Sequence, residues 1–314
     1  MVSTVGPPAR TLRMNALVTR TSDIWRRANF TDRMYLGYFV GLGALILLRR
    51  HRVPNWPVFL EVHLVFIALV VFLVLNARRF QAAHAWYPLA MPLFTFQEIA
   101  QLNFLLVDGW RDHHLLAFED WLFSEPPTVW LGRVASPLIA ESLEIGYLSY
   151  FFLLLIVGGA LYRRADKAPF FGVMAASVLG YMLCYIVFVI FPTEGPAHTL
   201  RHLHTVPLTG GPFHGMVEFV QNAGVHGNAF PSAHVAGAVV ALIFAWRHAP
   251  RLAAWLTPLV VLLCIAAVRD RYHYASDIVA GIMVGAAAAS FVLFAQARPE
   301  WARRLNIVPA RART

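Results

Sequence analysis

Long apolar runs alternate with short polar, arginine-bearing segments along most of the chain, at 33–49, 56–76, 86–107, 136–161, 169–191, 231–247, 252–268 and 277–296. A helix needs ~20 mainly apolar residues to cross a bilayer, and these runs approach that length. The third run departs most from the pattern: Pro88 and Pro92 interrupt it, and Gln97, Glu98, Gln101 and Asn103 make it amphipathic. No fixed-period repeat, low-complexity stretch or soluble-sized insertion divides the chain. The pattern predicts an all-α fold, a polytopic integral membrane bundle of about eight spans. Residues 33–296 form one membrane domain between polar, basic tails at 1–32 and 297–314.

Composition agrees with this reading. Of 314 residues, 58% are hydrophobic and 14% charged, with a mean hydropathy of +0.57. A soluble domain carries roughly 25% charged residues, so an ordinary cytosolic enzyme is excluded. The formal charge of +9 does not point to nucleic acid, because the arginines cluster between apolar runs, at Arg49/Arg50/Arg52, Arg78/Arg79, Arg163/Arg164 and Arg303/Arg304. Inner loops of membrane proteins carry such an excess. Arg163, Arg164 and Lys167 place 162–168 inside, Arg247 and Arg251 place 248–251 inside, and the arginines after 297 place the C-terminal tail inside. By alternation both termini are cytoplasmic, and 108–135, 192–230 and 269–276 face outward; the Arg49–Arg52 cluster falls on the outer side against the rule. Lys167 is the single lysine, a usage that suggests a GC-rich bacterial genome and hence a bacterial plasma (inner) membrane. Cys184 and Cys264 both lie inside apolar runs, which excludes a disulfide framework and a four-cysteine zinc site.

Two outward segments carry chemistry. In Gly227-Asn228-Ala229-Phe230-Pro231-Ser232-Ala233-His234, Pro231 suits a first helical turn, so Ser232 and His234 stand at the outer N-terminus of a span. Free backbone N–H groups and the positive end of the helix dipole favour an anion there, above all a phosphate. In Arg269-Asp270-Arg271-Tyr272-His273-Tyr274-Ala275-Ser276-Asp277, His273 and Asp277 are four apart and share a helix face. A carboxylate on one imidazole nitrogen fixes the tautomer and frees the other nitrogen as nucleophile or base. Arg269 and Arg271 offer forked donors suited to phosphate oxygens. Two spans separate the segments, so both open on one side. Together they suit phosphoryl transfer without a metal or other cofactor: His273 attacks phosphorus, Asp277 stabilises the imidazolium and His234 protonates the leaving oxygen.

Pro231-Ser-Ala-His234 and Arg271-Tyr-His273-Tyr-Ala-Ser-Asp277-Ile-Val-Ala-Gly281 resemble the second and third signature motifs of the type-2 phosphatidic acid phosphatase superfamily. More narrowly, the chain is similar to the branch of inositol phosphorylceramide synthases and related bacterial membrane phosphotransferases. Asp120-Trp-Leu-Phe123 with Pro126, Tyr147-Leu-Ser-Tyr150 and Phe191-Pro-Thr-Glu-Gly-Pro196 support the likeness, which covers about 86–290. The resemblance implies a six-helix phosphatase-like catalytic core, here about 136–296, with His273 forming a phospho-histidine, Asp277 its partner and His234 the acid. Membrane lipids are then the donor and a possible acceptor; no obligate protein partner is evident. The phosphatase branch has a first-motif lysine and an Arg-Pro that find no counterpart here, and the arginine six residues before the third-motif histidine is replaced by Ala267. Phosphate binding therefore passes to Arg271, Arg269 or Arg201, with Ser232 as a further donor. The missing first motif leans toward the synthase branch over a lipid phosphate phosphatase that uses water as acceptor.

Other polar residues fall in the outer halves of spans: Glu61 and His63, Gln101 and Asn103, and Glu141 and Glu144. Intramembrane ionisable groups normally face a cavity or a partner, and an outward-opening substrate pocket containing Glu61, Asn103, Glu141 and Glu144 accounts for them. His198, His202, His204, His214 and His226 share the longest outer loop, but His202-Leu-His204 lacks the helical i,i+4 pair and companion carboxylates of a metal site. No metal site is expected, and these histidines are read as lining an exposed vestibule. A proton- or metal-linked transporter is the competing class; it calls for inverted repeats or broken helices at the midplane, and no repeat is visible.

Overall fold

The computed structural model describes residues 23–133, 136–208, 210–222 and 226–309. Most of the N-terminal tail and the last residues of the C-terminal tail lie outside that set. Among the described residues the fold is all-α. The elements used below are α1 (Phe30–Leu48), α2 (Trp56–Leu75), α3 (Gln81–Ala100), α4 (Asp112–Leu122), α5 (Pro127–Gly132), α6 (Pro137–Tyr162), α7 (Ala168–Ile190), α8 (Pro212–Asn222), α9 (Ala233–His248), α10 (Pro250–Arg269), α11 (Ala275–Gln296) and α12 (Pro299–Leu305).

Six of these helices, α1, α2, α6, α7, α10 and α11, are long and apolar enough to cross a membrane. The two remaining expected spans are also helices, with differences that have physical reasons. The run expected over 86–107 begins earlier and ends at Ala100, with Pro88 and Pro92 inside the helix. Beyond it the chain turns to release Asn103 toward the end of the 192–230 segment, where its side chain donates to the carbonyl of His226 at 3.2 Å. The run expected over 231–247 is a 16-residue helix, α9, begun by the Ser232 cap, whose hydroxyl accepts from Val235 N at 3.4 Å. Sixteen residues rise about 24 Å, less than the ~30 Å hydrocarbon core. α9 is also the centre of the bundle, packed on α6, α7, α10 and α11.

Five long helices lie within 136–296, and α3 adds a sixth against α7. α1 and α2 pack outside them, α1 against α7 and α2 against α1 and α3. The close approach of α9 and α11 depends on small residues, as is common for helix pairs in membranes. A Cβ on Gly281 would lie 2.6 Å from the Ser232 carbonyl, and one on Gly285 would lie 2.5 Å from that of Ala236. These contacts bring the two histidine segments to one depth.

Two groups of buried polar side chains in α1–α3 pair within these helices. Asp32 accepts from Tyr87 Oη at 2.7 Å and from the backbone of Asn29 at 2.7 Å in a capping box, and His84 Nε2 lies 3.0 Å from it. Glu98 holds His63 Nε2 at 2.5 Å and accepts from Tyr38 Oη at 2.8 Å. The arginine cluster that broke the inside rule has a local partner, since Arg52 forms a two-pronged pair with Asp108 at 2.8 and 3.1 Å.

Candidate active site

The two histidine segments are stitched together by backbone and side chain. Ser232 N donates to the Asp277 carbonyl at 3.1 Å. His273 is buried, and its backbone N–H donates to Ala267 O at 3.0 Å where α10 ends. Its ring is fixed at both nitrogens. Nδ1 lies 2.9 Å from the Ala229 carbonyl and 3.3 Å from Asp277 Oδ2, so Nδ1 carries the proton and donates. Nε2, left with its lone pair, lies 3.1 Å from Ser232 Oγ. A sequence reading finds Asp277 as the orienting group but misses the Ala229 carbonyl, which is the closer acceptor. Asp277 also caps α11, accepting from Tyr274 N at 2.8 Å.

His234 faces the same space. Its ring centroid is 6.0 Å from that of His273, and it packs against Tyr150 at 4.5 Å and Tyr147 at 5.8 Å. Thus His273, His234, Asp277 and Ser232 are brought together.

The remaining candidates separate. Arg269 is buried at the end of α10, donating to Asp270 Oδ1 at 2.7 Å and approaching Glu144 Oε1 at 3.5 Å. Glu144 also holds His214 Nδ1 at 2.7 Å, and Gln221, on the same helix α8, donates to Tyr147 Oη. Glu141 accepts the backbone N–H groups of Gly211, Phe213 and His214 at 2.5–3.3 Å, so it anchors the first turn of α8 across α6. Asn103 ties down the far end of the 192–230 segment through the His226 carbonyl. Arg271, at a positive φ of 67°, turns its guanidinium to the Val206 carbonyl. Arg201 is exposed on the loop, with no side-chain hydrogen bond or ion pair among the described residues. Glu61 is exposed on α2, the helix packed outside the core.

Two acidic residues absent from the sequence reading position the His273 segment. Asp112 accepts from Glu194 N at 2.8 Å, Gly195 N at 2.9 Å and Tyr274 Oη at 2.9 Å. Glu119 accepts from Ser276 N at 2.8 Å and Ser276 Oγ at 3.1 Å. They are seven apart on the buried face of α4, a spacing that the sequence does display. The neighbouring Asp120-Trp-Leu stretch lies on the opposite face, where Trp121 is 78% exposed.

Burial pushes the His273 imidazole down to about 4, so it is neutral at pH 7, the state in which Nε2 keeps its lone pair. Because kcat/KM reports the free enzyme, its acid limb should lie near pH 4; a histidine at the ordinary 6.5 would lose about 30-fold by pH 5. The sign for stability is the opposite of a salt-bridged histidine. The unfolded chain takes up a proton below about 6.5 while the folded one does not until about 4, so stability falls as the pH drops through that window. A pH profile of kcat/KM with an acid limb at 6.5 would contradict the buried, neutral assignment.

A family model described as the PAP2 superfamily matches residues 113–291. No curated protein and no solved structure matches the chain. The matched stretch takes in both histidine segments, Glu119 on α4, and α9 with nearly all of the four long helices packed around it, which is more than half of the sequence, and the chain belongs to the PAP2 superfamily.

Proposed function

We propose that the chain is a membrane phosphotransferase that moves a phospho group from a lipid phosphate or phospho-head-group donor to an alcohol acceptor, through a phosphorylated His273. The superfamily supports phosphatase- or phosphotransferase-type chemistry in general. The observation that carries the finer reading is the His273 ring, held through Nδ1 by Ala229 O and Asp277 with Nε2 toward Ser232 Oγ, and with the His234 ring 6.0 Å from it.

In the first step the Nε2 lone pair forms a bond to phosphorus while the bond to the donor's oxygen breaks, and His234 gives that oxygen a proton. Nδ1 then carries the imidazolium proton against Asp277 and the Ala229 carbonyl. In the second step the acceptor hydroxyl attacks phosphorus, its proton passes to His234 and the P–N bond breaks. Positioned acid–base groups contribute about 10²–10⁴-fold. Ser232 Oγ and the first N–H groups of α9 serve the phosphoryl oxygens, together with Arg269, the arginine buried between Glu144 and Asp270. Arg271 and Arg201 point elsewhere and are not assigned to phosphate.

An alcohol acceptor is favoured by the polar groups that α6 and α8 share near Tyr147, whose ring lies 5.8 Å from that of His234: the Tyr147 hydroxyl, Gln221, Glu144 and His214 suit a polyhydroxyl head group, as in inositol phosphorylceramide synthases. We place this site on the outer face of a bacterial plasma membrane with both tails cytoplasmic, following the arginine distribution. The test is purified protein in mixed micelles with radiolabelled lipid phosphates and phospho-head-group lipids, with His273→Ala as blank. A new labelled lipid that appears only with an added alcohol is expected. Free phosphate at the same rate with and without alcohol would make water the acceptor and overturn the transferase reading.

A further inference from the structure

We propose that Glu194, His198 and His226 form a binding site for a divalent transition-metal ion of the zinc class, at the neck of the outer loop. One ligand atom from each lies within 4.8 Å of the other two. Glu194 Oε1 and His226 Nε2 are 2.8 Å apart, and the rings of His198 and His226 stack at 4.3 Å with 26° between planes. Two imidazoles and one carboxylate are the donor set that holds catalytic zinc in several hydrolases, with a fourth position left for water. Imidazole donors select zinc-like ions over magnesium and calcium, which prefer all-oxygen sites. Zinc–ligand bonds of ~2.0–2.2 Å need donor atoms about 3.3 Å apart. No separation exceeds 4.8 Å, so closure needs at most about 1.5 Å, while Glu194 Oε1 and His226 Nε2, now 2.8 Å apart, open by about 0.5 Å; both are side-chain movements open to residues at the surface.

What distinguishes this group from a chance surface cluster is that each member sits on backbone held elsewhere. Glu194 and Gly195 donate their N–H groups to the buried Asp112 carboxylate. Gly195, at φ 103°, starts the helical turn Pro196–Thr199 that carries His198, and Thr199 Oγ1 meets Tyr274 Oη at 2.5 Å. The His226 carbonyl accepts from Asn103, and its ring lies on Trp110 at 5.5 Å and 25°. The next residue is Gly227 at φ 94°, where a Cβ would stand 2.5 Å from Asn103 Nδ2 and 2.9 Å from Trp110. Both ends of the loop are thus presented to one point from fixed supports.

The site is separate from the reacting atoms yet mechanically close to them. His226 precedes Ala229, the residue whose carbonyl holds His273 Nδ1, by three positions. An ion here clasps the two ends of the outer loop and braces that carbonyl. The sequence conceals the site because its ligands are 28 residues apart, counted from His198 to His226, and the carboxylate lies before the loop's first histidine.

The test is calorimetric titration of the full chain, purified in detergent without a polyhistidine tag and stripped of metal, with zinc chloride and no lipid present. One Zn²⁺ per chain is expected, with binding at least about tenfold weaker in His198→Ala and in His226→Ala, since even supporting residues of metal sites cost 10–100-fold. His202→Ala, an exposed histidine of the same loop outside the cluster, is expected to bind as wild type, and all variants to elute alike on gel filtration. X-ray absorption of the zinc-loaded protein should show two imidazoles. Absence of zinc binding, or binding unchanged in both His198→Ala and His226→Ala, would overturn the site. Because no substrate is present, neither result depends on the phosphotransfer reading.

Discussion

Replacing His273 with alanine is expected to abolish turnover, by about 10⁴-fold or more, while leaving the bundle folded. Removing a covalent nucleophile eliminates the step on which its partners act, so the loss approaches that of removing the whole group. The substitution vacates space beside Ser232 Oγ, the Ala229 carbonyl and Asp277 Oδ2. Those neighbours keep other bonds: Ser232 still caps α9, its backbone still donates to Asp277 O, and Asp277 still accepts from Tyr274 N. The fold should therefore survive, with near-wild-type elution and helix content. His234→Ala should lose less, about 10²–10⁴-fold, and should recover with donors whose leaving oxygen needs no proton. Equal loss in both variants with every donor would argue against the separate roles.

Arg269→Ala is expected to have the largest effect on stability, about 3–5 kcal/mol, the usual cost of removing one partner from a buried ion pair. Arg269 is 1% exposed, with Asp270 and Glu144 equally buried around it. Burial and the nearby Glu144 carboxylate push Asp270 upward even with the arginine present. Without the guanidinium, the two carboxylates face each other in a site closed to water, and α6 and α10 are forced apart or a proton is taken up. Arg269→Lys should lie between, because an ammonium cannot reproduce a planar fork. Adding Glu144→Gln to Arg269→Ala should restore part of the loss by removing one uncompensated charge. The check is the unfolding midpoint in detergent across these variants; an unchanged midpoint in Arg269→Ala would show that the cluster is not a stabilising one.

The parts legible in the sequence were those written locally. Ser232 marks the start of α9 as its cap, although Pro231, expected in the first turn, stands just before that cap; His273 and Asp277 meet as their spacing of four suggests, although His273 lies before the α11 cap at Tyr274 and not on the helix face expected for it. The apolar runs located all eight long helices because lipid-exposed and core residues alike must be apolar. The end of the third did not follow, since residues 101–107 are apolar enough to extend a helix yet leave it to hold the 192–230 segment through Asn103. Residues whose roles depend on tertiary contacts were also hidden. Glu141 read as a pocket carboxylate, but it spends its oxygens on the backbone of α8, 70 residues later. His63 read as an outward pocket group, but Glu98 and Tyr38 enclose it. Arg271 and Arg269 are equivalent donors on paper; the positive φ of Arg271 turns one to the loop while the other stays in the core. Asp112 and Glu119 carried only their seven-residue spacing, which alone does not reveal that Tyr274 and Ser276 are their partners.

The central claim is a covalent phosphorus–nitrogen bond at His273. The direct measurement is to mix the protein with phosphorus-32-labelled lipid phosphate, quench within the first turnover, and map the label on the chain after separation from lipid. An acid-labile, base-stable label on the peptide containing His273 is expected, discharged on adding an alcohol acceptor and absent from His273→Ala. Turnover in His273→Ala, or a label that maps to any other residue, would contradict it.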